Sequence, residues 1–274
     1  MDKIIEYMLA EDEGFGDITS NAVVEKDKIV NAQIVSKDEG VLAGIDIIRD
    51  LFEEKGVGIT FCLSDGVEIS KGDLLISLKG DARTILLLER TALNLLMRMS
   101  GVASAANNYV NLVKDCDVRI AGTRKTSPAL GKFDKYALEV GGADTHRFGL
   151  DDMVLIKDNH IAACGTPLEA LLKAKENVSF SKKIEIEVET LDDAIECVKN
   201  GADIVMLDNM SPEEVDEVIT ELEKLDIRQN SLIEVSGGIT EDTILDYADL
   251  GVDIISIGAL THSSRSLNFS LKME

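Results

Sequence analysis

The chain has 274 residues, enough for one large domain or for a barrel with a smaller partner domain. Its hydrophobic content of 45% excludes wholesale disorder, and its aromatic content of 4%, without Trp, predicts a core of aliphatic side chains. The formal net charge of −23 argues against binding to nucleic acid or to an anionic membrane surface. An anionic ligand would therefore need cations concentrated in one place.

The sequence also lacks the usual signals of membrane insertion and export. It contains no run of about 18 apolar residues, and the N-terminal MDKIIEYMLAEDEG has no basic segment, apolar core or cleavage site. The cysteines, Cys62, Cys116, Cys164 and Cys197, form no CxxC pair, so we expect reduced thiols and no zinc site. These features predict a cytoplasmic protein.

Residues 28–115 contain two successive patterns. Short β-rich runs within 28–80, broken by turn signals such as Asp65-Gly66, predict an antiparallel sheet with hairpins. Residues 81–115 then follow a helical period, and Ser100-Gly101 is expected to separate a first helix from a second that runs to about Lys114. The apolar face of the first predicted helix is formed by Leu86, Leu87, Ala92, Leu93, Leu96 and Met97.

From residue 118 onward, apolar β-branched runs alternate with amphipathic stretches. The runs are VRIAG, MVLIK, IEIEVE, DIVMLD, LIEVSGG and DIISIGA. Ser211-Pro212 with Glu214 predicts a helix start, and Gly201 and Gly251 lie where a helix needs a left-handed C-terminal residue. Continuous apolar strands alternating with helices indicate parallel strands buried on both faces. Without a sign of doubly wound order, the pattern predicts an α/β fold with a (β/α) barrel.

Chemically active residues follow these strands at the points where the strands end. In chain order they are Arg124 and Lys125, Lys157, Glu187, Asp208, Ser236-Gly237-Gly238 and Gly258. Active sites of such barrels lie at this carboxyl face, and the last strand ends commonly bind phosphate. We therefore predict one site assembled from all of these strand ends.

Cations are concentrated in residues 119–160. This segment contains seven Lys or Arg and six Asp or Glu, a net charge of +1, whereas the remainder of the chain carries −24. Arg124 offers a planar fork to a carboxylate or phosphate, and Lys125 offers a point charge. With the further donors His146, Arg147 and Lys157, the segment suits a ligand with two carboxylates and several phosphate oxygens. The alternative is that each cation pairs with a neighbouring surface carboxylate.

Glu187 and Asp208 end consecutive predicted strands beside these cations. Such a pair suits a Mg²⁺ ion that bridges to pyrophosphate, or electrostatic stabilisation of a cationic ribosyl centre. The direction in which each side chain points from the strand decides which of Glu185, Glu187 and Glu189 points inward. Carboxylates that face solvent are the alternative.

The glycines of the last strand ends suit a phosphate group. Ser236-Gly237-Gly238 ends a strand and, with Ile239-Thr240, is expected to open a helix whose N–H groups favour phosphate. Gly258 at the next strand end strengthens this prediction. His262, a lone histidine near a domain boundary, is interpreted as structural.

The block GTRKTSPALGKFDKYALEVGGADTHRFGLDDMVLIKDNHI (122–161) resembles the core signature of the quinolinate phosphoribosyltransferase family. The resemblance extends over essentially the whole chain through LAEDEGFGDITS (9–20), GVLAG (40–44), ERTALNLLMRMSGVA (89–103) and the EVE, MLDN, SGGI and IGALTHS strand ends. The ordered TRK, HR and IKDNH elements make this resemblance specific.

The resemblance implies a fold of two domains. Residues 1–103 would form an N-terminal open α/β sandwich, joined by the C-terminal tail 263–274, and residues 104–262 an incomplete (β/α) barrel. The tail sequence LNFSLK (267–272) has the alternation of a returning strand. A homodimer is implied as well, with assembly into hexamers left open.

The resemblance also implies roles for individual residues. Lys125, Lys157, Glu187 and Asp208 would be catalytic, and Arg124, Lys125, His146, Arg147 and Lys157 would line the substrate pocket. Arg90 of the ERT element would reach across the dimer interface into the partner's site. Glu187 and Asp208 would flank the ribose and the Mg²⁺-bound pyrophosphate, and Ser236, Gly237, Gly238 and Gly258 would hold the 5′-phosphate.

The implied reaction transfers phosphoribosyl from phosphoribosyl pyrophosphate (PRPP) to quinolinate and removes CO₂, giving nicotinate mononucleotide for NAD biosynthesis. Mg²⁺ is the expected cofactor, and no nucleic acid or membrane partner is expected. The chain departs from the family pattern at Pro128-Ala129-Leu130-Gly131, where PGLR is usual, so that an arginine is missing and Lys132 is the nearest substitute. Two smaller departures are Ala143 in the usual GGG and Thr145 in place of Asn.

Two alternatives stay open on the sequence. A related phosphoribosyltransferase would use another acceptor such as nicotinate, although the retained cations and the intact IKDNH favour a dicarboxylate. A non-catalytic binding protein on the same scaffold would be favoured by loss of Glu187, Asp208 or Lys157, and all three are present. Magnesium dependence would separate the enzymes from simple binding.

Overall fold

The computed structural model describes residues 2–274. Its elements in chain order are α1 (Lys3–Glu13), α2 (Ile18–Val23), β1 (Ile29–Ser36), β2 (Gly40–Val41), α3 (Ile45–Glu54), β3 (Gly58–Cys62), β4 (Glu68–Ile69), β5 (Leu74–Asp81), α4 (Ala82–Leu112), β6 (Arg119–Ala121), α5 (Gly131–Val140), β7 (Val154–Ile156), α6 (Asp158–Cys164), α7 (Pro167–Asn177), β8 (Ile184–Val188), α8 (Leu191–Lys199), β9 (Ile204–Asp208), α9 (Pro212–Lys224), β10 (Leu232–Ser236), α10 (Ile244–Ala248), β11 (Ile254–Ser256), α11 (Ala259–His262) and β12 (Phe269–Met273). A short 3₁₀ helix, Arg228–Asn230, precedes β10.

The chain divides into two compact units. The first comprises the residues up to Asn107, Ser127–Gly142 and Ser264–Glu274, and the second comprises Asn108–Thr126 and Ala143–Ser263. The domain bounds expected from the sequence, with breaks after residues 103 and 262, stay a prediction.

The first unit contains the predicted antiparallel sheet, with strand order β12-β1-β5-β3. The C-terminal strand β12 pairs antiparallel with β1, so the strand predicted from LNFSLK is confirmed. The sequence prediction missed α3, which lies inside the segment interpreted as β-rich. Its buried residues Ile45, Ile48, Leu51 and Phe52 recur at helical spacing.

The predicted break in the long helix is wrong, because α4 continues through Ser100-Gly101 to Leu112. Both residues serve close packing instead. The Ser100 hydroxyl accepts a hydrogen bond from the Ala43 N–H at 3.1 Å. A Cβ on Gly101 would lie 2.2 Å from the Arg265 carbonyl oxygen, so glycine is required by the approach of the C-terminal segment.

The second unit contains the predicted parallel strands in one six-stranded sheet, with order β6-β11-β10-β9-β8-β7. If the two ends of this order, β6 and β7, are placed side by side to close a circle, the strands follow one another in chain order from β6 to β11. The sheet has no pairing between β6 and β7, so it is open there. A doubly wound sheet would reverse direction at a switch point. The cyclic order with a missing pairing is that of an incomplete barrel, as expected.

The helix signals of this unit are confirmed at α9, where Ser211 caps the helix and Glu214 closes the capping box. Gly201 and Gly251 adopt the left-handed φ values of 75° and 78°. The helix expected directly after Ser236-Gly237-Gly238 is wrong, because α10 begins at Ile244. A turn closed by the Thr243 N–H on the Thr240 carbonyl, at 3.1 Å, occupies the intervening residues.

Two sequence expectations concern the molecule as a whole. None of the helices among residues 2–274 combines the length and hydropathy that a membrane span requires. The four cysteines are free, and Cys197 is buried, as expected for small apolar packing groups.

Candidate active site

A cavity of about 240 Å³ opens among the strand ends of the second unit. It is lined by Gly122, Thr123, Arg124, Lys125, His146, Arg147, Leu155, Lys157, Glu187, Met206, Asp208, Glu234, Ser236 and Ser256. A second cavity of about 250 Å³ is lined by Lys125, Ser236, Gly237, Gly238, Ile239, Thr240, Ser256, Ile257, Gly258, Ala259 and His262. The two cavities share Lys125, Ser236 and Ser256, so they form one continuous candidate site.

The strand register explains why residues distant in sequence meet here. In β8 and β9, Glu187 pairs with Met206, and in β9 and β10, Asp208 pairs with Ser236. Ser236 in turn pairs with Ser256 of β11. Because parallel strands in register end at the same edge of a sheet, their terminal side chains face a common space.

Two guanidinium groups face this space without forming an ion pair with a protein carboxylate. Arg124 has neither a hydrogen bond nor an ion pair to another residue of the described chain. Arg147 is 8% exposed, and its guanidinium contacts the Met153 carbonyl at 3.5 Å. Burial lowers the pKa of Arg147, and the nearby charge of Arg124 lowers it further. An anionic ligand with two acidic groups would relieve the repulsion between these cations.

Lys157 lies at the end of β7, and its Nζ contacts Oε2 of Glu187 at 2.5 Å. The lysine is also the N-cap of α6, and its N–H donates to Nδ1 of His160 at 3.0 Å. His160 of the IKDNH element therefore fixes the backbone of Lys157 and does not line either part of the site.

Asp208 ends β9 and accepts a hydrogen bond from Nδ2 of Asn209 at 2.7 Å. It lines the cavity together with Glu187, whose side chain is 13% exposed. Two partly solvated carboxylates fit Mg²⁺, which prefers oxygen ligands and completes its coordination with water and substrate phosphates. The donor set of Glu187 and Asp208 is therefore compatible with the expected ion, with Lys157 as the competing partner of Glu187.

His146 contacts two acids that are fully buried. Its Nε2 lies 3.3 Å from one carboxylate oxygen of Glu185 and 3.3 Å from one of Glu234. Burial opposes the charged ring, but the hydrogen bonds to both acids outweigh it and raise the pKa of His146 to about 10. Burial also raises the pKa of Glu185. In the neutral form of the ring, the Arg147 N–H donates to Nδ1 at 2.9 Å, while Nε2 faces the two carboxylates.

The glycines of the second cavity allow the backbone to approach a ligand. Gly237 and Gly238 have left-handed φ values of 102° and 64°, and a Cβ on Gly237 would lie 2.2 Å from Oδ1 of Asn209. A Cβ on Gly258 would lie 3.1 Å from Cδ of Lys125 and 3.3 Å from the His262 ring. Backbone N–H groups in such turns form concave anion sites.

Arg90 does not line this site. It belongs to the first unit, in a cavity of about 430 Å³ with Met8, Glu11, Asp12, Thr91, Asn94, Leu95, Arg98 and Leu130. Lys132, the nearest substitute for the missing arginine, forms an ion pair with Asp2 and does not line the second-unit cavities. The substitution by Lys132 stays a prediction.

The sequence prediction missed several residues of the site. Glu234 is an acid in the middle of an apolar strand, and that interruption was a readable signal of a buried polar group. Glu185, named with Glu187 and Glu189 as an acid that could point inward, is fully buried, but its contact with His146 was not predicted. Asn209, which orients Asp208 and adopts a φ of 54°, had no clear sequence signal. His262, interpreted as structural, lines the glycine-rich cavity.

Comparison with known proteins agrees with this geometry. The family model described as "Quinolinate phosphoribosyl transferase, N-terminal domain" matches residues 17–100, and the corresponding C-terminal domain model matches residues 102–272. A probable nicotinate-nucleotide pyrophosphorylase [carboxylating] of Methanocaldococcus jannaschii is 50% identical over 98% of this chain and 95% of its own length. The protein of the same description from Methanothermobacter thermautotrophicus is 44% identical over 98% of both chains.

A solved structure gives the same result. The crystal structure of NadC from Streptococcus pyogenes superposes with a TM-score of 0.91 at 38% identity, covering 98% of this chain and 96% of that chain. The two domain models, the relatives and the solved structure agree over nearly the full length, and the chain belongs to the quinolinate phosphoribosyl transferase family.

Proposed function

We propose that this chain is a quinolinate phosphoribosyltransferase (nicotinate-nucleotide pyrophosphorylase, carboxylating), which forms nicotinate mononucleotide, CO₂ and pyrophosphate from quinolinate and PRPP in NAD biosynthesis. One observation carries the proposal beyond family membership. Two guanidinium groups without a carboxylate partner face a cavity that continues into a glycine-rich turn. This arrangement suits a dicarboxylate at one end and a phosphate at the other.

Acceptor binding is assigned to the cationic end of the site. Arg124 and Arg147 hold the two carboxylates of quinolinate, and Lys157 supplies a further positive charge. The two arginines orient the ring so that its nitrogen faces the anomeric carbon. Such orientation contributes several kcal/mol to catalysis when the reacting atoms are held near contact.

PRPP is assigned to the remaining part of the site. Its 5′-phosphate lies at Ser236, Gly237, Gly238 and Gly258, with Lys125 between the two cavities. Glu187 and Asp208 flank the ribose, where their charges stabilise the positive charge that develops at the anomeric carbon. When bound to these carboxylates, Mg²⁺ would neutralise charge on the departing pyrophosphate.

The reaction follows from these positions. The pyridine nitrogen attacks the anomeric carbon as pyrophosphate leaves, and the ring nitrogen becomes cationic. The adjacent C2 carboxylate then departs as CO₂, the electron pair left on C2 is stabilised by the cationic ring, and C2 takes up a proton from solvent to give nicotinate mononucleotide. Lys157 and Lys125 act as fixed positive charges beside the anionic groups, and Lys157 also holds Glu187 in place.

The proposal includes a homodimer in which Arg90 enters the partner's site, with assembly into hexamers as a further option. Arg90 has no hydrogen bond or ion pair within the described residues, which supports a role outside its own chain. Tyr7, Phe15, Ile18 and Val23 are largely exposed at the N-terminal helices and form an apolar area that a partner subunit would cover.

A cytoplasmic location is also part of the proposal. It is supported by the free thiols of Cys62, Cys116, Cys164 and Cys197, since disulfides are typical of oxidising compartments.

The first experiment is product analysis by mass spectrometry after mixing the purified protein with quinolinate, PRPP and Mg²⁺. Nicotinate mononucleotide with equal amounts of CO₂ and pyrophosphate is expected. The second candidate is a phosphoribosyltransferase for another acceptor such as nicotinate, favoured by Gly131 in place of the usual arginine. Turnover of nicotinate without turnover of quinolinate would establish that candidate, and binding without any turnover would indicate a non-catalytic protein.

A further inference from the structure

A buried cluster at the wall of the cavity has no part in the reaction as described above. It consists of His146, Glu185 and Glu234, and both acids are 0% exposed. Each acid places one carboxylate oxygen 3.3 Å from Nε2 of His146. Oε2 of Glu234 is hydrogen-bonded to the ring, whereas Oε1 of Glu234 and both oxygens of Glu185 have no hydrogen-bond partner in the described chain. Buried acids of this kind are destabilising, so their presence beside the cavity indicates a role in the site.

A metal ion is the first possibility, since the ligand atoms of the three residues lie within 4.8 Å of one another. A histidine that binds a metal through Nε2 carries its proton on Nδ1 and donates it to an acceptor. Here Nδ1 faces a donor instead, the N–H of Arg147 at 2.9 Å. Nδ1 thus lacks the acceptor that a metal-bound histidine needs, and this orientation does not fit a metal centre.

The same hydrogen bond connects the cluster to the acceptor end of the site. His146 adopts a left-handed φ of 53°, an uncommon conformation for a residue with a side chain. Its N–H is held by Oδ1 of Asp144 at 2.8 Å, and its ring is anchored by the two acids. The ring then accepts a hydrogen bond from the backbone N–H of Arg147. Through the ring, the acids therefore determine the backbone position from which the Arg147 side chain extends.

We propose that Glu185 and Glu234 are positioning residues that act through His146 to fix the backbone of Arg147 and present its guanidinium to a carboxylate of the acceptor. With both ring nitrogens engaged, His146 contributes to acceptor binding through Arg147 and not by a hydrogen bond of its own. The inference rests on the proposed function for the identity of the acceptor. It means that the acceptor end of the site is supported by residues of strands β8 and β10.

The test compares binding of two probes in variants at Glu234. Phthalate serves as an unreactive aromatic dicarboxylate and PRPP as the other substrate, both measured by calorimetry, with steady-state KM values for quinolinate and PRPP alongside. Glu234→Leu removes the acceptor for Nε2–H and is expected to weaken phthalate binding about tenfold, with PRPP affinity unchanged. Glu234→Gln keeps an acceptor oxygen and is expected to restore most of the phthalate affinity.

Ser231→Ala is the matched control, because the Ser231 hydroxyl donates to the Ala202 carbonyl at 2.7 Å beside the amino end of β10, opposite the cavity. It is expected to lower stability without changing either affinity. Equal losses of phthalate and PRPP affinity in Glu234→Leu, or a Gln variant no better than Leu, would overturn the inference. If Glu234→Leu does not fold, Glu185→Leu must show the same selective loss of phthalate affinity, and its absence also overturns the inference.

Failure of the proposed function has a different signature. If the wild-type protein binds phthalate but does not convert quinolinate, the assigned activity is wrong, while the effect of Glu234 on dicarboxylate binding is still measured. If the wild-type protein converts quinolinate and the Glu234 variants bind phthalate normally, the activity stands and the positioning role is wrong.

Discussion

Arginines of the two compact units differ in what they contact. In the first unit, Arg98 holds Asp134 with two hydrogen bonds of 3.0 Å, and the Asp134 side chain is 0% exposed. In the second unit, Arg124 has no partner in the described chain, and the Arg147 guanidinium contacts a carbonyl at 3.5 Å. Both kinds of arginine lie in an acidic protein with many carboxylates available. An arginine left without a carboxylate at a cavity therefore indicates a ligand, and one that is fully paired indicates structure.

The glycines differ between the units in a similar way. Gly101 is required because another backbone segment of the protein approaches it, at 2.2 Å from the position of a Cβ. Gly238 has a left-handed φ of 64° and nothing within 4 Å of a Cβ, although it lines the second cavity. Gly101 allows another segment of the chain to pack closely against it, whereas Gly238 leaves open space that a phosphate would occupy.

The largest effect should come from Arg124→Ala, because this change removes a bidentate partner of the acceptor. We expect kcat/KM for quinolinate to fall about 10³-fold with the fold intact by circular dichroism. Arg119→Ala is the control, since Arg119 is paired with Asp144 at 3.3 Å and its side chain is 71% exposed. Activity of Arg124→Ala close to that of the control would contradict the distinction between paired and unpaired arginines.

Arg98→Met should act on stability instead of activity. It leaves the buried carboxylate of Asp134 without its cation, so the free energy of unfolding should fall by about 3 kcal/mol in urea denaturation. Phthalate binding should not change. Arg49→Met is the comparison, because its pairs with Asp46 and Asp50 are solvent-exposed and such pairs contribute about 0–1 kcal/mol. Similar stability losses in both variants would remove the distinction.

Asp208→Asn tests the carboxylate end of the site. If Asp208 and Glu187 hold the ion, the Mg²⁺ concentration for half-maximal activity should rise about tenfold or more, because one anionic oxygen ligand is lost. Asp216→Asn, at an exposed position of α9, removes the same charge away from the cavity and should leave the Mg²⁺ dependence unchanged. An unchanged Mg²⁺ dependence in Asp208→Asn would remove this residue from the proposed ion site.

The smallest effect concerns the departure from the family pattern at Ala129. This alanine has a left-handed φ of 65°, which is unfavourable for a residue with a Cβ by about 1 kcal/mol. Ala129→Gly should therefore raise the free energy of unfolding slightly, by about 0.5 kcal/mol after the greater freedom of unfolded glycine is included. Ala137→Gly in α5 should instead lower it, and a loss of stability in Ala129→Gly would contradict the strain at this position.

Local patterns in the sequence were sufficient for much of the fold. The six parallel strands, the capping box at Ser211, the left-handed Gly201 and Gly251 and the returning C-terminal strand were all predicted and are confirmed. Each of these depends on residues that are close in sequence. The errors arose where a distant segment decides the outcome, as at Ser100-Gly101, where the approach of Arg265 explains a glycine that had indicated a helix break.

The candidate site shows the same division. The sequence alone determined which residue types end the strands, and with them the cations, acids and glycines that line the two cavities. The tertiary structure decided which of these residues are left without a protein partner and which acids are buried behind them. Glu185 and Glu234 are separated by 49 positions in the chain and meet at His146 because β8 and β10 both pair with β9 in one sheet. Pairing and burial depend on long-range packing, so no local pattern could have supplied them.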